Sequence, residues 1–501
     1  MNYSERAEEK VAKFCFANCF QLSTLVNVVL MYLVVGFVAE SVRRVIFVIV
    51  LVLFWVLSLS FFVKTVRIDI VSMRVLALYI GFLSYYVYGF AYSLIAHGLS
   101  TVLKDYFFKT IIISGTCFLL GYVGAKKGYG KEFFRYLEKG SLIVFPLAVY
   151  YAFVHLFNCA NSNWNNGADI GPLDYMTLAY LFMPYLLGHL LSFLFEGNRK
   201  MVLFGKPILH SQIVRGVVIF IYWIAILASG TRGAYLSVII STVVMLIVKL
   251  FERKSRVEIL LPIGMMGVML FFGLFWTPTG MSRMGRWDIV LKGITEGQLR
   301  TGRYVYFEND EQLDSYMEVR KNAINSNDSK TEDSGYSSTE EGANKETIAD
   351  EQEDGNEGKK IVSEAIKSGE TVVFNRETLY RISLREFAHS PITGMGALEY
   401  SIRYGTYPHN ICLESLSETG ILGAIWFLGI IIYVLLRWIM VRKKQLYNIE
   451  ILCMLVAYMV TMNITGTLWR TANALFFAIA YGTVFIDSKG AVKMQGNIME
   501  Q

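Results

Sequence analysis

Residues 213–250 read IVRGVVIFIYWIAILASGTRGAYLSVIISTVVMLIVKL. Two nearly unbroken apolar runs, 213–229 and 233–250, flank a short polar turn, Ser229, Gly230, Thr231, Arg232, Gly233. The hydrocarbon core of a bilayer is crossed by a helix of about 20 apolar residues, with roughly 17 at the lower limit. Each run is therefore the length of one crossing, and the turn makes them a hairpin at a membrane surface. The same signature recurs in both directions along the chain. Spans are expected near 17–38, 45–63, 75–96, 107–125, 141–158, 173–195, 213–229, 233–250, 258–276, 420–440, 449–467 and 470–486. Composition agrees: 54% of the 501 residues are hydrophobic and only 18% are charged, where a soluble protein carries about 25% charge. These values exclude a soluble enzyme, a secreted disulfide scaffold and a purely disordered chain. The expected fold is an all-α polytopic membrane protein of about 12 transmembrane helices.

The net charge of +6 conceals a division. Residues 301–360 hold 16 acidic and 7 basic side chains, so the remainder of the chain is at +15. That basic remainder lies in short loops between apolar runs, where the positive-inside rule places it, and does not point to nucleic acid. Lys126, Lys127, Lys131, Arg135 and Lys139 follow span four, and Arg199, Lys200, Lys206 and Arg215 follow span six. Lys249, Arg253, Lys254 and Arg256 follow span eight; Arg437, Arg442, Lys443 and Lys444 follow span ten. The loop over 158–169, after span five, has no basic residue. Even-numbered loops and both termini are therefore expected in the cytoplasm, although Arg43 and Arg44 after span one run against the rule. The polar N-terminus followed by a full-length apolar run reads as a first span rather than a cleavable signal peptide. Cys15, Cys19, Cys117, Cys159, Cys412 and Cys453 are scattered without a C-x-x-C pair. They read as buried small hydrophobes, with a Cys159–Cys412 bridge as the alternative.

This orientation puts the 229–233 turn and the long segment 277–419 on the outer face, away from ATP and nucleotide sugars. The expected organisation is helices 1–9 over 1–276, with a re-entrant arginine turn at 229–233, then an extracytoplasmic loop over 277–419. Helices 10–12 and a cytoplasmic tail follow over 420–501. Within the loop, 321–370 is rich in Ser, Asn, Glu, Asp and Gly and almost lacks large apolar residues. It cannot bury enough surface to offset ordering entropy, and reads as disordered. From Asn375, NRETLYRISLREFAHSPITGMG predicts an amphipathic helix over 376–390, stopped by Pro391 and two glycines.

Three places could carry chemistry. Arg232 lies between two apolar segments and is bracketed by glycines. A snorkelling arginine at a span end is one reading; a tight re-entrant break lining a polar cavity, with Arg232 facing an anionic group, is the other. Arg381, Arg385 and His389 are spaced i, i+4, i+8 and share one helix face, with Arg376 about one and a half turns earlier. Such a face is either simply solvated or a guanidinium cluster suited to a diphosphate, because the planar fork gives bidentate contacts. Among i±4 neighbours, only Glu377 opposes Arg381. His409, in Tyr407-Pro408-His409-Asn410, stands near a helix start at the outer surface. It is either an interfacial cap residue or a general base for a sugar hydroxyl.

Other patterns fail. Gly394-Met395-Gly396 lacks a preceding strand and a third glycine, and 128–131 lacks P-loop spacing. Asp350, Gln352, Asp354 and Gly355 imitate a calcium loop whose twelfth position is Ile361 rather than Glu. No zinc-spaced ligand set occurs, so neither a protein-bound metal nor a cofactor is expected.

Four features in this order resemble the O-antigen polymerase and O-antigen ligase superfamily, bacterial membrane glycosyltransferases of the GT-C type. They are SGTRGAYLS with its glycine-bracketed Arg232, a large outer loop, the stretch Arg376, Tyr380, Pro391, Gly394, Gly396, and the ending His409, Asn410, Leu413, Leu416, Glu418, Gly420, Gly423. The likeness covers about 215–440; the first six spans agree only in kind. It implies a GT-C-like, metal-independent enzyme of the bacterial cytoplasmic membrane, acting on its extracytoplasmic face. Such an enzyme takes a glycan from an undecaprenyl diphosphate carrier and joins it to an acceptor hydroxyl, either on the next carrier-linked repeat or on a lipid core sugar. Carried over, Arg232 and Arg376 would hold the diphosphate, His409 would activate the acceptor, and Asn410 would assist binding. Arg381 and Arg385 join them from helix geometry, not from the family. The partners implied are the lipid-linked donor and acceptor, the lipid bilayer, a chain-length regulator and a flippase. Thr231 replaces the more usual serine, and the insert 321–370 is foreign to the pattern. Polymerase is the reading, ligase the near alternative, and a flippase or transporter of lipid-linked sugars a rival from another class. A transporter should show two pseudo-symmetric halves, which the loop over 277–419 breaks.

Overall fold

The computed structural model describes residues 3–34, 40–66, 70–97, 108–158, 173, 175–195, 202–203, 206–207, 211–229, 231–251, 264, 267, 304–305, 373–374, 376–396, 398–404, 407–441, 446–464 and 473–482. They divide into two units, Met1–Arg286 with Ser383–Gln501, and Trp287–Ile382. Expected span nine, apart from residues 264 and 267, and the acidic insert lie outside the described residues. The first unit contains α1 (Tyr3–Ala17), α2 (Leu22–Val34), α3 (Glu40–Thr65), α4 (Ile70–His97) and α5 (Gly115–Lys127), the last entered through a π-helical turn, Phe108–Ser114. Next come α6 (Phe133–Asn158), α7 (Tyr175–Phe195), α8 (Ser211–Ser229) and α9 (Arg232–Phe251). α10 (Arg376–His389) begins in the second unit and ends in the first. α11 (Glu399–Tyr404), α12 (Ile411–Val441), α13 (Leu446–Ile464) and α14 (Asn473–Gly482) complete the chain. Sheet is confined, among the described residues, to two-residue pairs: Val202–Leu203 antiparallel to Lys206–Pro207, and, in the second unit, Tyr304–Val305 parallel to Val373–Phe374.

Among the described residues, Val42–Thr65, Phe108–Lys127, Gln212–Ser229 and Ile411–Tyr433 are long and apolar enough to cross a membrane. A fifth crossing results if Glu5–Ala17 and Cys19–Leu33, bent by 70°, count as one. Exposure supports the reading. Along α3, Val45, Ile49, Leu53, Val56 and Val63 are all exposed, as are Leu422, Ile425 and Trp426 on α12. Contiguous apolar surface of this kind is untenable in water and is what lipid contacts.

The first expected span, 17–38, starts instead at a corner between α1 and α2. Asn18 makes that corner: it is fully buried, and its Nδ2 donates to the carbonyls of Phe14 (3.0 Å) and Tyr136 (3.2 Å). Its Oδ1 accepts from Tyr185 (3.2 Å). A buried side chain that satisfies backbone groups at a helix break is a necessity in an apolar medium. Around it, Phe16 packs on Phe133 and Phe477 at 5.5 Å each, and Phe477 stacks on Tyr481 at 5.4 Å. Apolar burial drives helix association weakly inside lipid, so such contacts and interhelical hydrogen bonds hold the bundle.

Two of those bonds fix helix directions. Ser141, near the start of α6, bonds His189 Nε2, near the end of α7, at 2.7 Å. Arg215, near the start of α8, donates to Glu138, near the start of α6. The three helices therefore alternate up and down. Ser237, near the start of α9, bonds Thr461, near the end of α13, at 2.8 Å.

Candidate functional site

The site is built on a broken helix. α12 is interrupted at Gly420 (φ 63°, ψ −167°). The carbonyls released there are taken up by the loop that ends α10: Met395 N–H donates to Ser417 O and Gly396 N–H to Glu418 O, each at 2.9 Å. In return Ile421 N–H donates to Pro391 O at 2.8 Å. The two chains clasp by backbone alone, which is why the sequence needs glycine at the crossing. A Cβ at Gly394 would lie 2.4 Å from the Glu418 carbonyl carbon, and one at Gly420 would lie 2.3 Å from Ile392 O. Both glycines also have positive φ. Gly420→Ala is expected to destabilise the protein by about 2–5 kcal/mol, combining left-handed strain with a backbone clash. Gly429→Ala on the same helix, where an added methyl meets nothing within 4 Å, should be near neutral. Melting of the two purified variants tests this, and equal melting points would refute the clasp.

The clasp sets the start of α12. Asn410 is its N-cap: Oδ1 accepts from the N–H groups of Cys412 (3.0 Å) and Leu413 (3.1 Å). Asn410 was expected to bind substrate; its oxygen is committed to the cap, which leaves Nδ2 as the part of the side chain that can serve a ligand. His409 precedes it with φ 57°, a conformation that side-chain-bearing residues rarely hold. Its half-buried ring lies 4.2 Å from the Tyr407 ring, tilted by 45°. The strained backbone turns the imidazole out of the helix path, and the tyrosine limits its rotation.

Beside this segment, the C-terminal half of α10 meets α11. Tyr404 Oη donates to Glu386 Oε1 at 2.6 Å and accepts from Arg385. Arg403 Nε donates to Glu399 Oε2 at 3.2 Å, and its Nη1 lies 3.7 Å from Glu386 Oε2. Tyr400 is fully buried and bonded to Ser383. Burial, and then donation to Glu386, raises the Tyr404 phenol above the ordinary range, so this hydroxyl stays protonated. The arginine face of α10 is thus less free of acid than i±4 spacing implies: Arg385 Nη2 lies 3.9 Å from Glu386, its neighbour in sequence. Spacing along one helix could not reveal this, because the carboxylate is held there by α11.

Arg376 and Arg381 lie in the second unit, Arg376 exposed and Arg381 half-buried; along α10, Arg381 and Arg385 share a face. Arg232 is the first residue of α9. The turn before it is a hairpin between two helices, closed by Thr231 N–H on Ser229 Oγ at 3.2 Å, with Ser229 and Thr231 buried. The Ser237–Thr461 bond puts the start of α9 level with the end of α13.

Sequence reading missed a second polar group. Arg215, taken as a loop charge, is fully buried and bonded to Glu138 Oε1 through Nη2 at 3.1 Å. Arg215 is about 21 Å of helix from Ser229, at the opposite end of α8 from the arginine turn. The signal was present as IVRGVV, an arginine already inside an apolar run.

Fold and lipid-facing surface define a helical membrane protein. Residues 217–331 match the family described as O-antigen ligase, a stretch that includes the arginine hairpin and stops short of the His409 segment. That match supports the resemblance to the O-antigen polymerase and ligase superfamily. No curated protein and no solved structure matches the chain.

Proposed function

We propose that this protein is a twelve-span membrane glycosyltransferase that polymerises undecaprenyl-diphosphate-linked repeat units of a surface polysaccharide. It works at the outer face of the bacterial cytoplasmic membrane. The observation that supports this best is the glycine-bracketed arginine turn at 229–233, which lies within the stretch that matches the family described as O-antigen ligase. Arg232, with Arg376, Arg381 and Arg385, holds the donor diphosphate. The bond from the anomeric carbon to the diphosphate oxygen breaks as the acceptor hydroxyl oxygen bonds that carbon. His409 takes the hydroxyl proton, and the leaving diphosphate carries away the electron pair. Fixed guanidinium groups stabilise its developing charge without reorganising during the reaction.

Ligase is the second reading, favoured by the description of the matched family itself. Purified protein given a lipid-linked repeat unit separates the readings: a ladder of products marks a polymerase, and a single transfer to an added lipid core sugar marks a ligase. Neither product from the wild-type protein overturns both and favours a transporter. Arg232→Lys keeps the charge but loses the fork, and turnover should fall at least about tenfold. Near-wild-type turnover would mean that Arg232 only snorkels.

A further inference from the structure

The Glu386–Tyr404 pair has no part in the chemistry above, yet it is a short, buried polar contact of 2.6 Å. It joins α10 to α11, a helix of six residues. Tyr404 Oη sits between two partners, donating to Glu386 at 2.6 Å and accepting from Arg385. Arg385 and Glu386, adjacent in sequence, are 3.9 Å apart, too far for a direct hydrogen bond. The phenol is what links them. Glu386 is held from its other side by Arg403, which is itself held by Glu399. The chain of contacts thus runs Glu399, Arg403, Glu386, Tyr404, Arg385, and ends on a guanidinium that is one-fifth exposed.

We infer that Tyr404 and Glu386 are positioning residues that fix the Arg385 guanidinium for the diphosphate group of a lipid-linked donor. The inference rests on the proposed function and adds to it two residues and a mechanism. An arginine at a surface loses considerable rotamer freedom when it binds. One arm already fastened to a buried phenol loses less, so binding is stronger for the same contacts. Glu386 anchors the phenol without forming a direct bond to the guanidinium, which would occupy the fork.

A double-mutant cycle tests this on the full-length protein in phospholipid nanodiscs, with undecaprenyl diphosphate as the probe and inorganic pyrophosphate as the lipid-free comparison. Tyr404→Phe should weaken undecaprenyl diphosphate binding about tenfold. In an Arg385→Ala background the same change should have no further effect, because the two act as one unit. Glu386→Asp keeps the charge but shortens its reach, and should weaken binding in the same direction; it carries the test if Tyr404→Phe does not fold. Weaker binding of both probes supports a diphosphate site, and weaker binding of the lipid alone would assign the effect to the lipid tail and overturn the inference. Equal losses from Tyr404→Phe with and without Arg385 would show a merely structural tyrosine and overturn it too. If Arg385→Ala weakens binding while Tyr404→Phe and Glu386→Asp do not, the latch fails and the proposed function stands. No binding by the wild-type protein overturns the proposed function and the latch together.

Discussion

Glycan extension in cells carrying His409→Asn is expected to fall at least about 100-fold, the lower range for loss of a general base, while lipid-linked repeat units still accumulate. The choice of asparagine follows from the backbone. His409 has φ 57°, and after glycine, asparagine and aspartate accept that region best. Alanine there would strain the turn before α12 and confound a lost proton acceptor with a displaced helix start. Asparagine preserves the turn, approximates the size of the imidazole near the backbone, and cannot take a proton from a sugar hydroxyl. The Asn410 cap and the clasp at Gly420 do not involve the histidine ring and should persist. Membrane levels and melting of the variant should therefore match those of the wild type. Polymer of normal length from a properly inserted variant would eliminate His409 as the base.

What the sequence disclosed, and what it hid, follows from the range of the forces involved. Apolar runs are local, so helices such as α3, α8 and α12 could be read from length and composition. The helix over 376–389 was legible because its stop is local too, Pro391 followed by glycines. The match over 217–331 agrees with the family read from SGTRG and the motifs after it. The clasp was not legible. Its glycines were visible as a pattern, but that Gly394 and Gly420 face one another across 26 residues is a statement about two backbones meeting, and no side chain signals it. Tyr404 escaped for a related reason: nothing local distinguishes a phenol that bridges α10 and α11 from the tyrosines at 400 and 407. Asn18 and Gln21 sat inside a span that hydropathy treats as continuous, although two buried amides four turns into a polar helix mark a corner. Arg215 was misassigned because a positive charge close to a span end satisfies the inside rule whether it lies in the loop or a turn deeper.

That last residue gives the second large effect. Arg215→Ala leaves Glu138 buried among α6 and α8 with no guanidinium, and is expected to destabilise the protein by about 3–5 kcal/mol. Glu138→Ala strands the arginine and should be comparably severe. The pair replaced together, Arg215→Met with Glu138→Leu, should recover most of that loss, since a buried ion pair gains little over apolar packing of similar volume. On the same two helices, Tyr222 Oη donates to Ser141 O at 2.8 Å, and from α7 His189 Nε2 bonds the Ser141 hydroxyl at 2.7 Å. The site itself should respond differently. Arg215 lies at the far end of α8 from the arginine turn, so the double variant should retain turnover even though each single variant fails to accumulate in the membrane. Melting in detergent reports the first part and glycan extension the second. If Arg215→Ala melts within a few degrees of the wild type, the arginine is hydrated rather than buried, and α6 and α8 are not joined as described. If the double variant is stable but inactive, the pair belongs to the machinery of transfer and the chemistry is not confined to one end of the bundle.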